Sequence, residues 1–431
     1  ALLALTVIGI AGGVAVAVGF LAQPLSDWTS PDTAFTAAGR VAGMSAGFLA
    51  LLMLIFMARL PILEKTLGQD QLTLIHKKVG PYTLYLILAH VTFISVGYAE
   101  LTNTNAWSEF WRLVFEAEKM LPAFIGLVMF FVVGVTSYRR ARAKLKYETW
   151  WQIHFFSYLA VVLSFFHQVD TGVMFTSNPA LKLWWVSYYA LTFSFIIYYR
   201  WIQPARVSKR IGLELKEIIH ESPTTRSLVF TGTNLVSLNA KPGQYLNFNF
   251  AGVSAPGTSH PFSLSQSPTE NELRVTVKSL GDFTSRLDQL EPGTKVKISG
   301  PYGIFTASAA VSPNIVLVAG GIGITPIRAL LDELSAEKNI TLIWRSHSAD
   351  DLPLESEIDE LSEKLDVQIH KLIGPRSQFP LTPSELISLA PNIRSADIFI
   401  CGPQGLIELI QKSAKALGVK DERIHAETFD L

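Results

Sequence analysis

A chain of 431 residues is too long for one ordinary domain and points to two or three. Lys+Arg and Asp+Glu are both 36, so the basic excess of a nucleic-acid binder is missing; 17% charged against 49% hydrophobic residues is too oily for a fully soluble enzyme and too charged for a membrane protein throughout. The single cysteine, Cys401, excludes a disulfide framework, a Cys-rich zinc site and a cysteine-ligated iron–sulfur cluster.

The long apolar runs all lie in the first half, over residues 1–22, 36–58, 79–97, 121–138, 150–169 and 183–202. Each is close to the ~20 residues that a helix needs to cross a bilayer core. Six spans are expected, or five if the first run is a signal peptide, although it lacks a basic leading region. The chain starts at Ala1 rather than Met, so an N-terminal piece is expected to be missing. Arg59, Lys65, Lys77 and Lys78 fall between the second and third runs; Arg139, Arg140, Arg142, Lys144 and Lys146 fall between the fourth and fifth. Placing these loops in the cytoplasm puts the chain after the sixth span there too. The expected division is a transmembrane domain over 1–203 followed by two further domains over 204–308 and 309–431.

The first 203 residues contain four histidines: His76 just before and His90 within the third run, His154 and His167 within the fifth. Spacings of fourteen and thirteen residues separate the members of each pair by about 21 and 20 Å of helix axis. His76 is thereby level with His154, and His90 with His167. Polar side chains at membrane depth are costly, and two level pairs across a bundle are the geometry for two haems, each held by two imidazoles. The alternative is four histidines in helix–helix hydrogen bonds. At 100° per residue, a spacing of fourteen returns to nearly one face, but thirteen lands about 140° away. The fifth span must therefore bend or its two sites must be rotated; Gly80 and Pro81 offer a kink only on the third.

From Arg206 to about Phe305 short alternating strands are expected over 226–231, 244–250, 273–279 and 295–299, with Pro-Gly turns at 242–243 and 292–293. This pattern reads as a small antiparallel barrel. His260, Pro261, Phe262, Ser263 and Ser265 combine hydroxyls with an aromatic, suited to a flat ring. Gly281, Asp282, Phe283 and Thr284, with Lys278 beside them, form a loop suited to a diphosphate. Next, a buried strand over 315–319 runs into Gly320, Gly321, Gly323, Thr325 and Pro326 and an expected helix over 327–338. Thr325 reads as an N-cap and Pro326 as a first helical residue, with the glycines letting backbone approach a pyrophosphate. The following strand ends at Arg345, where an arginine favours the 2′-phosphate of NADPH. Ile398–Ile400 followed by Cys401, Gly402 and Pro403 is a further strand tip bordering the same crevice. The expected fold class is multidomain: an all-α six-helix transmembrane bundle, then an antiparallel β-barrel and an α/β Rossmann-like domain.

With both halves in view, the chain resembles the NADPH oxidase/ferric reductase family. The resemblance implies His76 with His154 as inner-haem ligands and His90 with His167 as outer-haem ligands. It implies a flavin motif from His260 to Ser265, a diphosphate loop from Gly281 to Thr284, and nicotinamide-cofactor segments at Gly300–Gly303 (including Tyr302), Gly320–Pro326 and Cys401–Pro403. Phe429 resembles the near-terminal aromatic that covers the flavin face. Arg40 is similar to the arginine at the oxygen-reducing site, whereas the companion histidine of the animal oxidases is Ile94 here. The implied cofactors are FAD, two b-type haems and NADPH, with NADH as the alternative. The expected partners are membrane lipid and a small acceptor, O2 or a ferric chelate, with no nucleic acid and no obligatory regulatory subunit. The implied activity is electron transfer from cytosolic NADPH across the cell membrane, with superoxide as the leading product. The rivals are a ferric-chelate reductase, a subunit donating electrons to an extracytoplasmic protein, and a soluble reductase anchored by an inert bundle.

Overall fold

The computed structural model describes residues 20, 23–254, 258–334 and 337–429. The expected first span, over 1–22, lies outside the described residues except for Phe20. The chain divides into two compact units, Ala1–Ile202 and Gln203–Leu431.

The first unit is helical: α1 (Pro31–Met57), α2 (Pro61–Thr102), α3 (Ala106–Glu116), α4 (Met120–Ser137), α5 (Tyr147–Thr171) and α6 (Pro179–Ile196). Among the described residues four helical runs are long and apolar enough to cross a membrane: Pro31–Met57, Pro61–Thr102, Met120–Ser137 and Pro179–Ile211. Helix α5 is 25 residues long but is not among them. It carries Glu148, Gln152, His154, His167, Gln168 and Asp170, which lower its hydropathy, and several of these point into the bundle. Gln168 accepts hydrogen bonds from Trp185 Nε1 (2.8 Å) and the Tyr189 hydroxyl (3.3 Å), tying α5 to α6.

The α1–α2 seam is close where Gly39 and Gly43 of α1 face Ile94 and His90 and where Gly97 of α2 faces Asp32 and Thr36, while Gly47, one turn further along α1, makes room for Trp185 of α6. Phe48, Leu51, Phe56, Leu72, Trp185 and Ile196 form the centre of the core. Many large apolar side chains remain exposed, among them Tyr82, Leu88, Leu121, Phe131 and Leu191, as a bundle bathed in hydrocarbon requires. The break expected at Gly80 and Pro81 falls instead at Gly68, with φ 74° and ψ 152°, while Pro81 stays within the helical run. Glycine adopts that conformation without a Cβ penalty. Beyond α6 the winding loosens into a π-helix over Ile197–Ile202, where Arg200 donates to the Met57 carbonyl (2.8 Å) at the end of α1.

The second unit begins with α7 (Gln203–Ile211). It is followed by β1 (Glu214–Ser222), β2 (Thr225–Thr231), β3 (Tyr245–Phe250), β4 (His260–Ser263), β5 (Glu272–Lys278) and β6 (Val296–Tyr302). These strands make two antiparallel three-stranded sheets, ordered β1-β2-β5 and β4-β3-β6. Single bridges, Glu214 with Lys295 and Leu264 with Val275, join them, so the expected barrel is two facing sheets rather than one continuous ladder. Phe230, Phe248 and Phe250 fill the space between the sheets.

The remaining strands β7 (Asn314–Gly320), β8 (Asn339–Ser346), β9 (Gln368–Ile373), β10 (Asp397–Gly402) and β11 (Ile424–Thr428) form a parallel sheet ordered β11-β10-β7-β8-β9. Helices α8 (Ile324–Leu331), α9 (Glu355–Leu365), α10 (Pro383–Leu389) and α11 (Gln404–Ala416) accompany it. The near-continuous burial of β7 and β10 is that of strands covered on both faces. Helix α8 starts three residues earlier and stops seven earlier than expected. Gly323, not Thr325, is its N-cap, and Pro326 lies inside its first turn. Thr325 donates its hydroxyl to the Ile322 carbonyl (3.1 Å), closing the 3-10 turn Gly321–Gly323 that precedes the helix.

Candidate functional site

The four membrane-half histidines meet as the levels predict. The rings of His76 on α2 and His154 on α5 lie with centroids 5.9 Å apart; those of His90 and His167 lie 6.3 Å apart. Two metal–imidazole bonds of about 2 Å and two ring half-widths bring opposed rings to about 6 Å, so both gaps fit a metal ion between the partners. The rings are inclined by 60° in one pair and 38° in the other.

His90 is held most firmly. Its Nδ1 lies 2.7 Å from the Gly39 carbonyl, which can only accept, so Nδ1 carries the proton and Nε2 keeps its lone pair for a metal. A Cβ on Gly43 would stand 2.6 Å from that same Nδ1. The glycine leaves the hollow the ring occupies. In the other pair, Ser137 Oγ lies 3.2 Å from His154 Nδ1 and accepts from Trp150 Nε1 at 3.2 Å. A cavity of about 290 Å³ opens around His90 and His167, and Arg40 lines it. The Arg40 guanidinium reaches Gln23 Oε1 (3.2 Å) and Asp27 (3.6 Å), so it is anchored at the cavity wall. Ile94 also lines this cavity and packs against Gly39.

In the reductase unit the expected flavin residues gather around β4. His260 stacks on Phe283 with centroids 3.4 Å apart, and Phe262 meets Phe283, Phe248 and Phe250. Pro261 pairs in register with Asn247. Ser263 is buried and reaches Glu427 on β11 at 3.5 Å. Ser265 is fully buried and accepts from Arg274 Nε (3.1 Å), so its hydroxyl also takes part in a charged clamp. The Thr284 hydroxyl accepts the N–H groups of Leu280 and Gly281 at 3.0 and 3.1 Å. Those two donors close the turn and are not offered outward. Lys278 pairs with Asp351. Asp282 opens the short helix Asp282–Ser285. Phe429, just past β11, is 39% exposed.

The nicotinamide segments converge at the tips of β7 and β10. A Cβ on Gly323 would meet the Cys401 carbonyl at 2.2 Å, and Gly320 and Gly402 come almost into backbone contact. Gly321 and Gly402 have positive φ, of 56° and 155°. Pro403 packs beside Gly320 and precedes α11. The Cys401 thiol is fully buried in the core, so only its backbone borders the crevice. Gly300, with φ 127°, lies against Leu246, and Tyr302 packs on Tyr245 with centroids 5.7 Å apart. Arg345 keeps its Nη2 buried without a hydrogen-bond partner. Burial, together with the nearby Arg376, holds its guanidinium below the ordinary arginine value. Among the described residues no carboxylate pairs with either arginine, and two neighbouring cations make a place for an anion.

Sequence reasoning missed the residues that act through contacts distant in the chain. Glu357 on α9 bridges Arg274 of β5 (2.5 and 2.7 Å) and Arg328 of α8 (2.8 Å), and Asp332 accepts from Arg328 (2.7 Å) and the Ser267 N–H (2.7 Å). This network clamps the antiparallel sheets to the parallel one. The Gly39-Gly43-Gly47 period was the available signal for the histidine cradle. Nothing local announces Ser137, Glu357, Arg376 or Glu427.

The chain matches three family descriptions in succession: a ferric reductase like transmembrane component over residues 42–165, an FAD-binding domain over 228–306 and an oxidoreductase NAD-binding domain over 317–412. Ferric reduction oxidase 7, chloroplastic, of Arabidopsis thaliana is 26% identical over 441 aligned residues, covering 85% of this chain and 55% of that protein. The ferredoxin reductase component of 3-ketosteroid-9-alpha-monooxygenase from Mycolicibacterium smegmatis is 29% identical over 231 residues, covering 51% of this chain and 65% of that protein. The chain thus spans less than two thirds of the length of these relatives. Among solved structures, the FAD/NAD-binding domain of nitric oxide dioxygenase from Vibrio cholerae is 26% identical, covering 51% of this chain and 99% of that chain with a TM-score of 0.44.

A bundle of apolar helices joined to FAD- and NAD-binding domains defines a membrane oxidoreductase. The order of the three domains and the relative that aligns along most of the chain narrow this: the chain fits the NADPH oxidase/ferric reductase family.

Proposed function

We propose that the protein carries electrons from cytosolic NADPH, by way of FAD and two bis-histidine b-type haems, to an acceptor on the outer face of the membrane, with O2 reduced to superoxide. One NADPH then supplies two electrons to two O2 and releases one proton on the cytosolic side. When bound, FAD accepts the pair as hydride and passes electrons on singly, and haem iron carries one at a time. The observation that carries this reading is the pair of facing imidazoles at each of two levels, 5.9 and 6.3 Å apart.

The chain's own residues supply position and electrostatics. His76 with His154, and His90 with His167, present nitrogens from opposite sides, a ligand set that leaves no open coordination position. Gly39 fixes the His90 tautomer, and Gly43 makes room for the ring. Gly320, Gly323 and Gly402 let backbone approach a dinucleotide at the start of α8. Arg345 and Arg376 favour the extra 2′-phosphate of NADPH. Phe429 follows the last strand at the place expected for the aromatic that covers the flavin face. Arg40, anchored by Gln23 and Asp27 on the cavity wall, offers a cation to the anion that forms when O2 gains an electron.

A second reading, reduction of a ferric chelate by the same internal route, is favoured by the name of the Arabidopsis relative. NADPH-driven reduction assayed with O2 alone, and anaerobically with a ferric chelate, separates the two. An Arg40→Ala variant is expected to lose most superoxide formation while keeping FAD and haem content. Full superoxide formation by that variant contradicts the oxygen-site role.

A further inference from the structure

Helix α3 is only eleven residues long, about 16 Å, too short to cross a bilayer, yet it joins the ends of two helices that are long enough. Its start is fixed locally: Asn105 Oδ1 accepts the Ser108 N–H at 2.8 Å. At 100° per residue its side chains fall into three strips rather than the two of an ordinary amphipathic helix. Glu109, Phe110, Leu113 and Val114 face inward; Glu109 is 1% exposed and hydrogen-bonded by Arg112, and Phe110, Leu113 and Val114 line the cavity around His90 and His167. The outward half divides in two. Trp107, Trp111 and Phe115 occupy one strip about 80° wide, with Trp107 and Phe115 each 70% exposed. Ser108, Arg112 and Glu116 occupy the next strip, and all three are exposed.

A helix that presents protein-facing, aromatic and charged strips in sequence around its axis matches a boundary where protein, lipid and water meet. Leu101 and Leu121, on the ends of the two apolar helices that α3 joins, are exposed as well. We infer that α3 lies in the plane of the membrane–water boundary at the His90 end of the bundle, with Trp107, Trp111 and Phe115 seated among phospholipid headgroups. Its inward strip roofs the histidine cavity, so the lipid holds the roof in place. The inference rests on the bundle spanning a membrane, and is independent of which acceptor is used.

The test uses the full-length protein in phospholipid nanodiscs, without NADPH, carrying a nitroxide at one of four positions: Trp107→Cys, Ser108→Cys, Phe115→Cys or Glu116→Cys. The single native thiol, Cys401, is fully buried, and the unsubstituted protein provides the blank. Nitroxides at 107 and 115 are expected to collide several-fold more with lipid-soluble O2 than with a water-soluble nickel chelate, and those at 108 and 116 the reverse. If Trp107→Cys fails to accumulate, Trp111→Cys reads the same strip. Equal water exposure at all four positions overturns the inference. So does protection of 107 and 115 from both probes, which would mean that protein covers the strip. Haem content measured on the same samples keeps a failure here distinct from a failure of the redox reading.

Discussion

The two halves of this molecule hold their chemistry by opposite means. In the helical half the candidate site is made of a few side chains set on largely helical backbone: four imidazoles, one arginine and the glycines that give them room. In the reductase half the backbone itself comes forward, at Gly320, Gly323 and Gly402, and side chains act mainly as clamps between sheets. The contrast follows from the solvent. In lipid every backbone group must be spent on the helix, so recognition falls to side chains. In water a strand tip and a helix start can leave backbone N–H groups directed at a phosphate.

The contrast breaks most sharply at the histidines. His154→Leu is expected to cut NADPH-driven reduction of the final acceptor by about 100-fold or more, while reduction of a soluble dye at the flavin stays near normal. Steady-state assays with both acceptors, alongside a haem spectrum, check this; equal loss in both assays would remove the division of labour. Next come the glycines. Gly43→Ala places a Cβ within 2.6 Å of the His90 ring and is expected to lower haem retention about 10-fold with the reductase half unaffected. Gly323→Ala is expected to do the converse, raising the KM for NADPH about 10-fold at unchanged haem content, because its Cβ would meet the Cys401 carbonyl.

A smaller effect is expected at the anion site. Arg345→Ala should raise the KM for NADPH by roughly 5–10-fold and leave that for NADH unchanged, which kinetics with the two nucleotides will read. The smallest concerns the clamp. Burial pushes the Glu357 carboxyl up, but hydrogen bonds and charge from Arg274 and Arg328 outweigh it and hold it below the usual glutamate range. Its folded value is depressed, so its contribution is complete above about pH 5 and fades as pH falls through the folded value. Glu357→Gln should lower Tm by a few degrees at neutral pH and flatten its decline in acid, as calorimetry across pH would show.

Much of the helical half was legible because burying histidine in lipid is expensive, so each such residue stands out by type alone. The level pairing followed from the rise per residue, and the structure brings the rings of the two pairs to 5.9 and 6.3 Å. The break at Gly68 was not legible, since a lone glycine near a helix start and a proline inside one compete as hinges, and tertiary packing decided. In the reductase half β2, β3, β5, β6, β7, β8 and β10 appeared through their apolar patterns and the dinucleotide turn through its glycines, whereas β1, β4, β9 and β11 did not appear. The length of α8 did not, because the apolar pattern continues beyond Leu331 after the helix has ended. The hydrogen bond from Arg274 to Ser265 was not legible, because it joins residues nine apart whose approach depends on the strand pairing.

Pyridine haemochrome analysis against flavin content, on pure and fully loaded protein, tests the central claim most directly. Two haems per flavin, falling to one in His90→Leu, is the expected result; one or none in the unsubstituted chain contradicts it.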